Sequence, residues 1–403
     1  MTELTLWHFG EQELFQWLAD AFHKAHPQIT VTPVRAGGKF EILLRLVEAL
    51  SQGTAPDLAV IYSEAVPALA QVNALRPLTK LLRSFENNLV EDGISGDLFN
   101  CVRHEGELWG LPYATGTYAL FCNLDLFEAA GVKLPDTWEE LREAAVALTR
   151  DTDGDGQLDQ WGYQMCTYQY PLFIWQAGGD ILTDDLKAVR FHDEAGYEAL
   201  EFYMDLYRRL RVTPPHIYFE RGDLAMKLSV TSNIRRYEKA GLRFTVIPLP
   251  GHRRRVTRLG ASNGLPVFVS LNTFDDKSEA CGDFLRWLGG TERLLDIALR
   301  TESLPVSRSV YRHPRYQAFL ERNPHHRTMA EHMISHGLTP PTVPETMEIK
   351  QIIADDVQHR LKRLQRPVTP ADMRTVLDEA AARANRLLQR KLMIKPWWFV
   401  SPP

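Results

Sequence analysis

Gly110-Leu111-Pro112-Tyr113-Ala114-Thr115-Gly116-Thr117, running into Tyr118-Ala119-Leu120-Phe121-Cys122-Asn123, is the stretch on which the fold turns. Proline fixes φ, glycine relaxes it, and the residues behind them are β-branched and aromatic, so the first half reads as a turn and the second as a strand. Two organisations fit that pattern. One is an ordinary loop ahead of a strand; the other is a crossing of the chain from one lobe to another. Two further breaks lie downstream, Gly260-Ala261-Ser262-Asn263-Gly264 and Leu304-Pro305-Val306-Ser307.

Upstream of the opening stretch, strand-like and helix-like segments alternate. Leu4 to Phe9 reads as a strand, and Glu11 to His26 as an amphipathic helix with a Leu14, Leu18, Ala21, Phe22, Ala25 stripe. Ile29 to Val34, Phe40 to Ser51 and Asp57 to Tyr62 continue as strand, helix and strand. Such alternation predicts βαβ units and an open parallel sheet, whose ligands gather at the carboxyl ends of the strands. Those ends are Trp7-His8-Phe9-Gly10 and Tyr62-Ser63-Glu64. Downstream, Asp136/Thr137 starts a helix to Arg150, Trp161 to Met165 and Phe244 to Pro248 read as strands, and Asp193 to Leu210 as a long helix. From Leu304 to Lys391 the pattern is mostly helical.

A chain of 403 residues exceeds what one hydrophobic core usually serves, so two domains are expected. With 44% hydrophobic and 24% charged residues it is a globular protein. A net charge of -5 removes the electrostatic case for nucleic acid. Arg253-Arg254-Arg255 with Arg258 reads as a solvated hairpin tip, since no aromatics interleave with it. Cys101, Cys122, Cys166 and Cys281 lie far apart and read as buried thiols; only Cys101 and His104 stand at ligand spacing, without a second pair. No apolar run approaches the ~18 residues of a membrane span.

Asp151-x-Asp153-x-Asp155-Gly156-Gln157-x-Asp159 has the oxygen donors and the Gly of a calcium loop, but Gly162 stands where a bidentate Glu is expected. It reads equally as a structural Ca²⁺ loop, with Asp151, Asp153, Asp155, Gln157 and Asp159 as donors, or as a solvated Asp/Gly turn. No other cofactor is required. The aromatic run from Trp161 to Trp175, ending in Gly178-Gly179-Asp180, supplies either core or the flat faces that suit sugar rings. His332 and His336 read as a solvated helix face, and His325-His326 as an exposed loop. No nucleophile elbow, Walker loop or dinucleotide fingerprint occurs.

The order of these pieces resembles the family 1 extracellular solute-binding proteins of ABC importers, the family of maltose- and glycerol-3-phosphate-binding proteins. The resemblance rests on Leu6-Trp7-His8-Phe9, Gly53 to Leu58, Gly110 to Tyr113 with Phe121 to Asp125, Leu134 to Leu141, Asp151 to Gly156, Trp175 to Gly179, Arg221 to Met226 and Pro248 to Gly251. It covers about 250 residues in the family's order. Cys122 and Leu124 depart from the usual Tyr and Lys of that pattern.

The resemblance implies an α/β, two-lobed periplasmic-binding-protein fold of type II, with mixed sheets flanked by helices and three hinge crossings. The crossings are expected near Leu111 to Thr115, Arg258 to Asn263 and Val306 to Tyr311. An N-lobe would comprise residues 1–111 and 262–308, a C-lobe 112–261 and 309–392, and a tail 393–403. Carried over residue by residue, it implies ligand contacts from Trp7, His8, Lys39, Phe40, Tyr62, Glu64, Tyr113, Thr115, Trp175, Ser232, Asn233, Arg235, Ser262 and Asn263. The implied protein is a monomeric, non-enzymatic receptor, periplasmic or at the cell surface. It would close on a carbohydrate, or on glycerol-3-phosphate or another polyol phosphate, and deliver it to an ABC importer permease. The native chain would then carry a leader or anchor beyond Met1. A glycoside-processing enzyme is the rival from another class, and it would need two convergent carboxylates that no motif here supplies. At the C-terminus, Arg390 to Pro403 sets basic residues ahead of Trp397-Trp398-Phe399, which reads as a tail packed on its own lobe or as the edge of a membrane segment.

Overall fold

Local pattern sets the first lobe. The computed structural model describes all residues except 85–87, 95–96, 165–169, 211, 214–217, 253–258, 261–263, 273–274 and 390–403. Strands β1 (Thr2–His8), β2 (Ile29–Arg35) and β3 (Leu58–Tyr62) run parallel, with β1 between the other two. Helices α1 (Gln12–Ala25) and α2 (Glu41–Gln52) supply the crossovers. The buried face of α1 is Phe15, Leu18, Ala19 and Phe22, while Ala25 is exposed. The core stripe is therefore centred on Phe15 and not on Leu14, because Phe15 packs in a T-shape near Tyr113 and tilted against Phe268.

The sheet does not stay parallel. Strand β4 (Leu111–Pro112), β5 (Tyr118–Asn123), β6 (Trp161–Gln164), β7 (Leu224–Val230), β8 (Phe244–Ile247) and β9 (Pro266–Ser270) complete two sheets. The first has the order β2-β1-β3-β9-β4, and the second β8-β5-β7-β6. Strand β9 lies antiparallel to β3, and β4 antiparallel to β9, so the open parallel sheet expected from the local alternation is mixed, as the family resemblance implied. The reason is topological: β9 re-enters the first sheet from the second, and does not arrive through a βαβ crossover.

The chain thus changes sheets inside Tyr113–Thr117 and again between Ile247 and Pro266. It changes a third time between helix Thr291–Thr301, which follows a helix packed on β1, and helix Pro324–His336, which packs on β8. Thr115 and Leu304 exchange backbone hydrogen bonds of 3.1 Å in both directions, so the first and third passages lie side by side. Helix Pro370–Gln389 then packs on helix Glu194–Met204 in the second lobe.

Two local predictions can be followed to atoms. Thr137 and Glu140 form a full capping box at the start of helix Trp138–Ala147, which satisfies two otherwise orphaned N–H groups. At Gly162, a Cβ would stand 1.8 Å from the carbonyl oxygen of Ala145. Close packing of β6 on that helix is what demands glycine there, at the position where a calcium loop would carry its last ligand. His325 and His326 differ from the exposed loop expected of them. They lie in helix Pro324–His336, where His325 stacks on Phe244 at 4.9 Å and His326 is buried against Phe319. Burial holds both imidazole pKa values below the ordinary one. Arg253 to Arg258 and the tail Arg390 to Pro403 fall outside the described residues. No described helix is long and apolar enough to cross a membrane.

Candidate ligand-binding cleft

A cleft lined by residues of both lobes lies between the two sheets. Ser63, Glu64, Cys101, Gly264 and Leu265 line one side; Leu172, Trp175, Asp180, Ile181 and Leu182 line the other. Tyr118, at the start of β5, reaches it from the first passage between lobes. Residues Thr339 to Thr342 and the helical run from Thr346 to Gln358 close it from the C-terminal third of the chain.

The first wall is built on a strand end. A 3-10 turn, Ser63–Ala65, follows β3, and the Ser63 N–H and hydroxyl clamp it to Leu265 just ahead of β9. That clamp sets Glu64 into the cleft, where it is 8% exposed and accepts a hydrogen bond from Lys350 Nζ. Gly264 makes the site possible. Its φ is +73°, and a Cβ would lie 2.8 Å from Glu64 Oε2. Burial alone would raise the Glu64 carboxyl, but the ammonium groups of Lys350 and Lys39 outweigh it and hold the pKa below the ordinary value. Lys39 sits 3.6 Å above the Tyr62 ring, and Tyr62 stacks on Phe9 at 4.8 Å. Burial lowers the Lys39 pKa and raises that of Tyr62.

The second wall is flatter and more apolar. Helix Tyr170–Gln176 buries Tyr170, Phe173 and Ile174 and turns Trp175 to the cleft. The indole N–H of Trp175 donates to Asp180 Oδ1 at 3.1 Å, and the Ile181 N–H donates to the same oxygen at 2.7 Å. Asp180 therefore fixes the plane of the ring. Among the aromatics between Trp161 and Trp175, Tyr163, Tyr170 and Phe173 are core, and Trp175 is the one that lines the cleft among the described residues.

Of the contacts implied by resemblance, Glu64 and Trp175 both line the cleft, one from each lobe, and Lys39 and Tyr62 flank Glu64. Phe40 is 64% exposed at the start of α2, and Trp7 is half-buried on β1. His8 is fully buried, stacked on Phe15 at 4.0 Å with Nε2 3.1 Å from Gln12 Oε1. Tyr113 is buried against Phe268, and Thr115 is buried in the first passage between lobes. Ser232 is exposed, Asn233 donates to Ser229 Oγ at 2.8 Å, and Arg235 pairs with Glu302 at 2.6 Å. None of these three lines the cleft. Ser262 and Asn263 lie outside the described residues.

Lys350, Gln358 and Tyr118 were not singled out from the sequence. The signal was present for two of them: Thr346, Lys350, Ala354 and Gln358 recur every four residues, placing polar groups in an otherwise apolar helix stripe. The Asp151 loop lies away from the cleft. Oxygens of Asp151, Asp153 and Asp159 come within 4.8 Å of one another and are exposed, but each also accepts hydrogen bonds from the loop's own N–H groups. The Gly156 and Gly154 amides hold the Asp151 carboxyl below its ordinary pKa. Asp155 turns to the Gln157 N–H at 2.7 Å. Cys101, Cys122 and Cys281 are buried free thiols, and burial pushes Cys101 and Cys281 up to about 12.

Two mixed α/β lobes, a chain that passes repeatedly between them, and an interlobe cleft with one charged and one aromatic wall define a two-lobed binding protein. The chain belongs to the bacterial extracellular solute-binding protein family, whose model matches residues 17–328; this is a family of binding proteins and not of enzymes. It is 21% identical over 420 positions to the sn-glycerol-3-phosphate-binding periplasmic protein of Yersinia enterocolitica, covering 97% of this chain and 93% of the relative. The corresponding protein of Escherichia coli K12 is 22% identical, with the same coverage. The fold matches the sugar-binding protein MalE of Xanthomonas citri with a TM-score of 0.81 at 20% identity, over 97% of this chain and 98% of that one. It also matches a Thermotoga lettingae ABC transporter solute-binding protein bound with α-D-tagatose, at 0.77 and 23% identity, over 96% and 100%.

Proposed function

We propose that this protein is an extracytoplasmic receptor that holds a neutral carbohydrate in the interlobe cleft and presents it to an ABC importer permease. The observation that carries the choice of solute is the balance of charge around the cleft. Among the described lining residues the charged groups are Glu64, Lys350 and Asp180; Lys350 and the neighbouring Lys39 are offset by Glu64, and Asp180 is held by the Trp175 indole, so no excess positive charge awaits an anionic ligand. The second wall presents an indole whose plane is already fixed, which suits the C–H face of a sugar ring. Binding works by closure: a solute that touches both walls has differential affinity for the closed form and shifts the population toward it.

A polyol phosphate is the second reading, favoured by the two lysines beside Glu64 and by what the Yersinia and Escherichia relatives are named for binding. Arg235, the guanidinium that would have served a phosphate, is instead engaged by Glu302 away from the cleft lining. The receptor is a monomer in this proposal, with the N-lobe, C-lobe and tail divided as the family resemblance implies. It works in the periplasm or at the cell surface, and the Asp151 loop is a candidate for structural Ca²⁺.

Thermal-shift screening with mono-, di- and oligosaccharides and glycerol phosphates tests the reading. A ligand at about a hundred times its Kd adds about 2.7 kcal/mol of stability. A response to phosphates alone replaces the sugar with the second reading. Release of shorter sugars from an oligosaccharide would overturn both.

A further inference from the structure

Gln358 is completely buried, and neither Nε2 nor Oε1 has a hydrogen-bond partner, although the residue is part of the cleft lining. A buried amide left unmatched at both atoms is costly, and native proteins keep few of them. The helix around it is built to hold it there. Residues Thr346–Ile352 are α-helical and Ile353–His359 form a π-helix. A four-residue step overshoots an α turn and undershoots a π turn. Switching from one to the other keeps Thr346, Lys350, Ala354 and Gln358 on one line facing the cleft, all four of which line it. Single π turns of this kind recur at functional sites.

We propose that Gln358 is a specificity-determining residue of the cleft, whose amide donates to one solute oxygen and accepts from one solute hydroxyl. This rests on the carbohydrate reading and deepens it. Lys350, two four-residue steps earlier on the same line, is committed to Glu64, so it does not compete for the same hydroxyls. Ala354 between them carries no long side chain to cover the gap. An amide that both donates and accepts suits adjacent hydroxyls, and it rejects analogues that lack them because its own atoms then stay unpaired.

The test uses the full chain, its Gln358→Met variant and, as a second replacement, Gln358→Leu. Each is titrated with maltotriose, mannobiose, D-tagatose and sn-glycerol-3-phosphate by tryptophan fluorescence, and each is melted without ligand. The expected result is a 10- to 100-fold weaker sugar Kd in both variants, together with a ligand-free melting temperature that is unchanged or higher. Equal sugar affinity in wild type and variants overturns the role of Gln358 and leaves the cleft reading intact. A ligand-free melting temperature lowered by several degrees in both variants also overturns it, since the amide would then have a partner within the protein. A wild type that answers none of the sugars, here or in the wider panel, sinks the carbohydrate reading and this inference with it.

Discussion

The two walls of the cleft reach the same enclosure by different physics. The first wall is a strand-end turn that carries a buried carboxylate and must surround it with cations: Glu64 with Lys350 and Lys39. The second wall is a helix that carries an indole, and needs only one hydrogen bond, from Trp175 to Asp180, to fix its orientation. A buried charge makes its wall dependent on distant parts of the chain, since Lys350 stands 286 residues from Glu64. An aromatic wall depends mainly on its own packing. The charged wall should therefore be the one that responds to pH and to single charge changes, and the aromatic wall the one that responds to volume.

The sharpest break of that comparison is Trp175→Ala. Loss of a buried indole is expected to destabilise the protein by about 3 kcal/mol and to weaken sugar binding by about 100-fold, read by urea midpoints and calorimetric titration. Unchanged affinity would remove the stacking role from the second wall. Glu64→Gln comes next. It leaves two ammonium groups without their carboxylate, and because Lys350 is partly solvent-screened the cost is about 2 kcal/mol, below that of a fully buried pair.

The pH dependence separates the walls further. The Glu64 pKa is depressed on folding, so its contribution is fully present above the ordinary carboxyl value of 4.5 and is lost as pH falls through the lower folded value. Wild type should lose more stability than Glu64→Gln across that acid window, whereas Trp175→Ala should parallel wild type. Parallel curves for wild type and Glu64→Gln would mean the pair is solvent-screened. Gly264→Ala is smaller, about 1–2 kcal/mol from the left-handed backbone, with the displaced Glu64 carboxylate added to it. In a double-mutant cycle with Glu64→Gln the two effects should fall short of additivity, since they act on one contact. The smallest effect lies outside both walls. Calcium should raise the melting temperature by a few degrees if the Asp151 loop binds it, and Asp151→Asn should abolish the rise; equal midpoints with calcium and with chelator would leave a solvated turn.

Much of the fold was legible where the physics is local. The β1-α1-β2-α2-β3 run follows from hydrophobic periodicity, the start of helix Trp138–Ala147 from its Asp136/Thr137 start signal, and the passage out of the first sheet from the Gly and Pro around Tyr113. The lining of the candidate cleft was legible in part: a strand end pointed to Glu64, and the aromatic run pointed to Trp175. His8 and Tyr113 show the limit of that reasoning. A residue at a strand end faces the cleft or the core according to which side of the strand it occupies and what packs there, and both went to the Phe15 and Phe268 cluster.

By itself, then, the sequence determined that this chain folds into alternating α/β units, breaks at marked turns and carries the pieces of a solute-binding protein, because turns, caps and periodic burial act over a few residues. Only the tertiary structure decided that β9 returns antiparallel, that His326 is buried, and that Glu64 finds Lys350 beside a glycine and in one cleft with Trp175. Those are meetings of residues far apart in the chain. Their energy depends on shape and on desolvation at the point of contact, which no local pattern of residue types encodes.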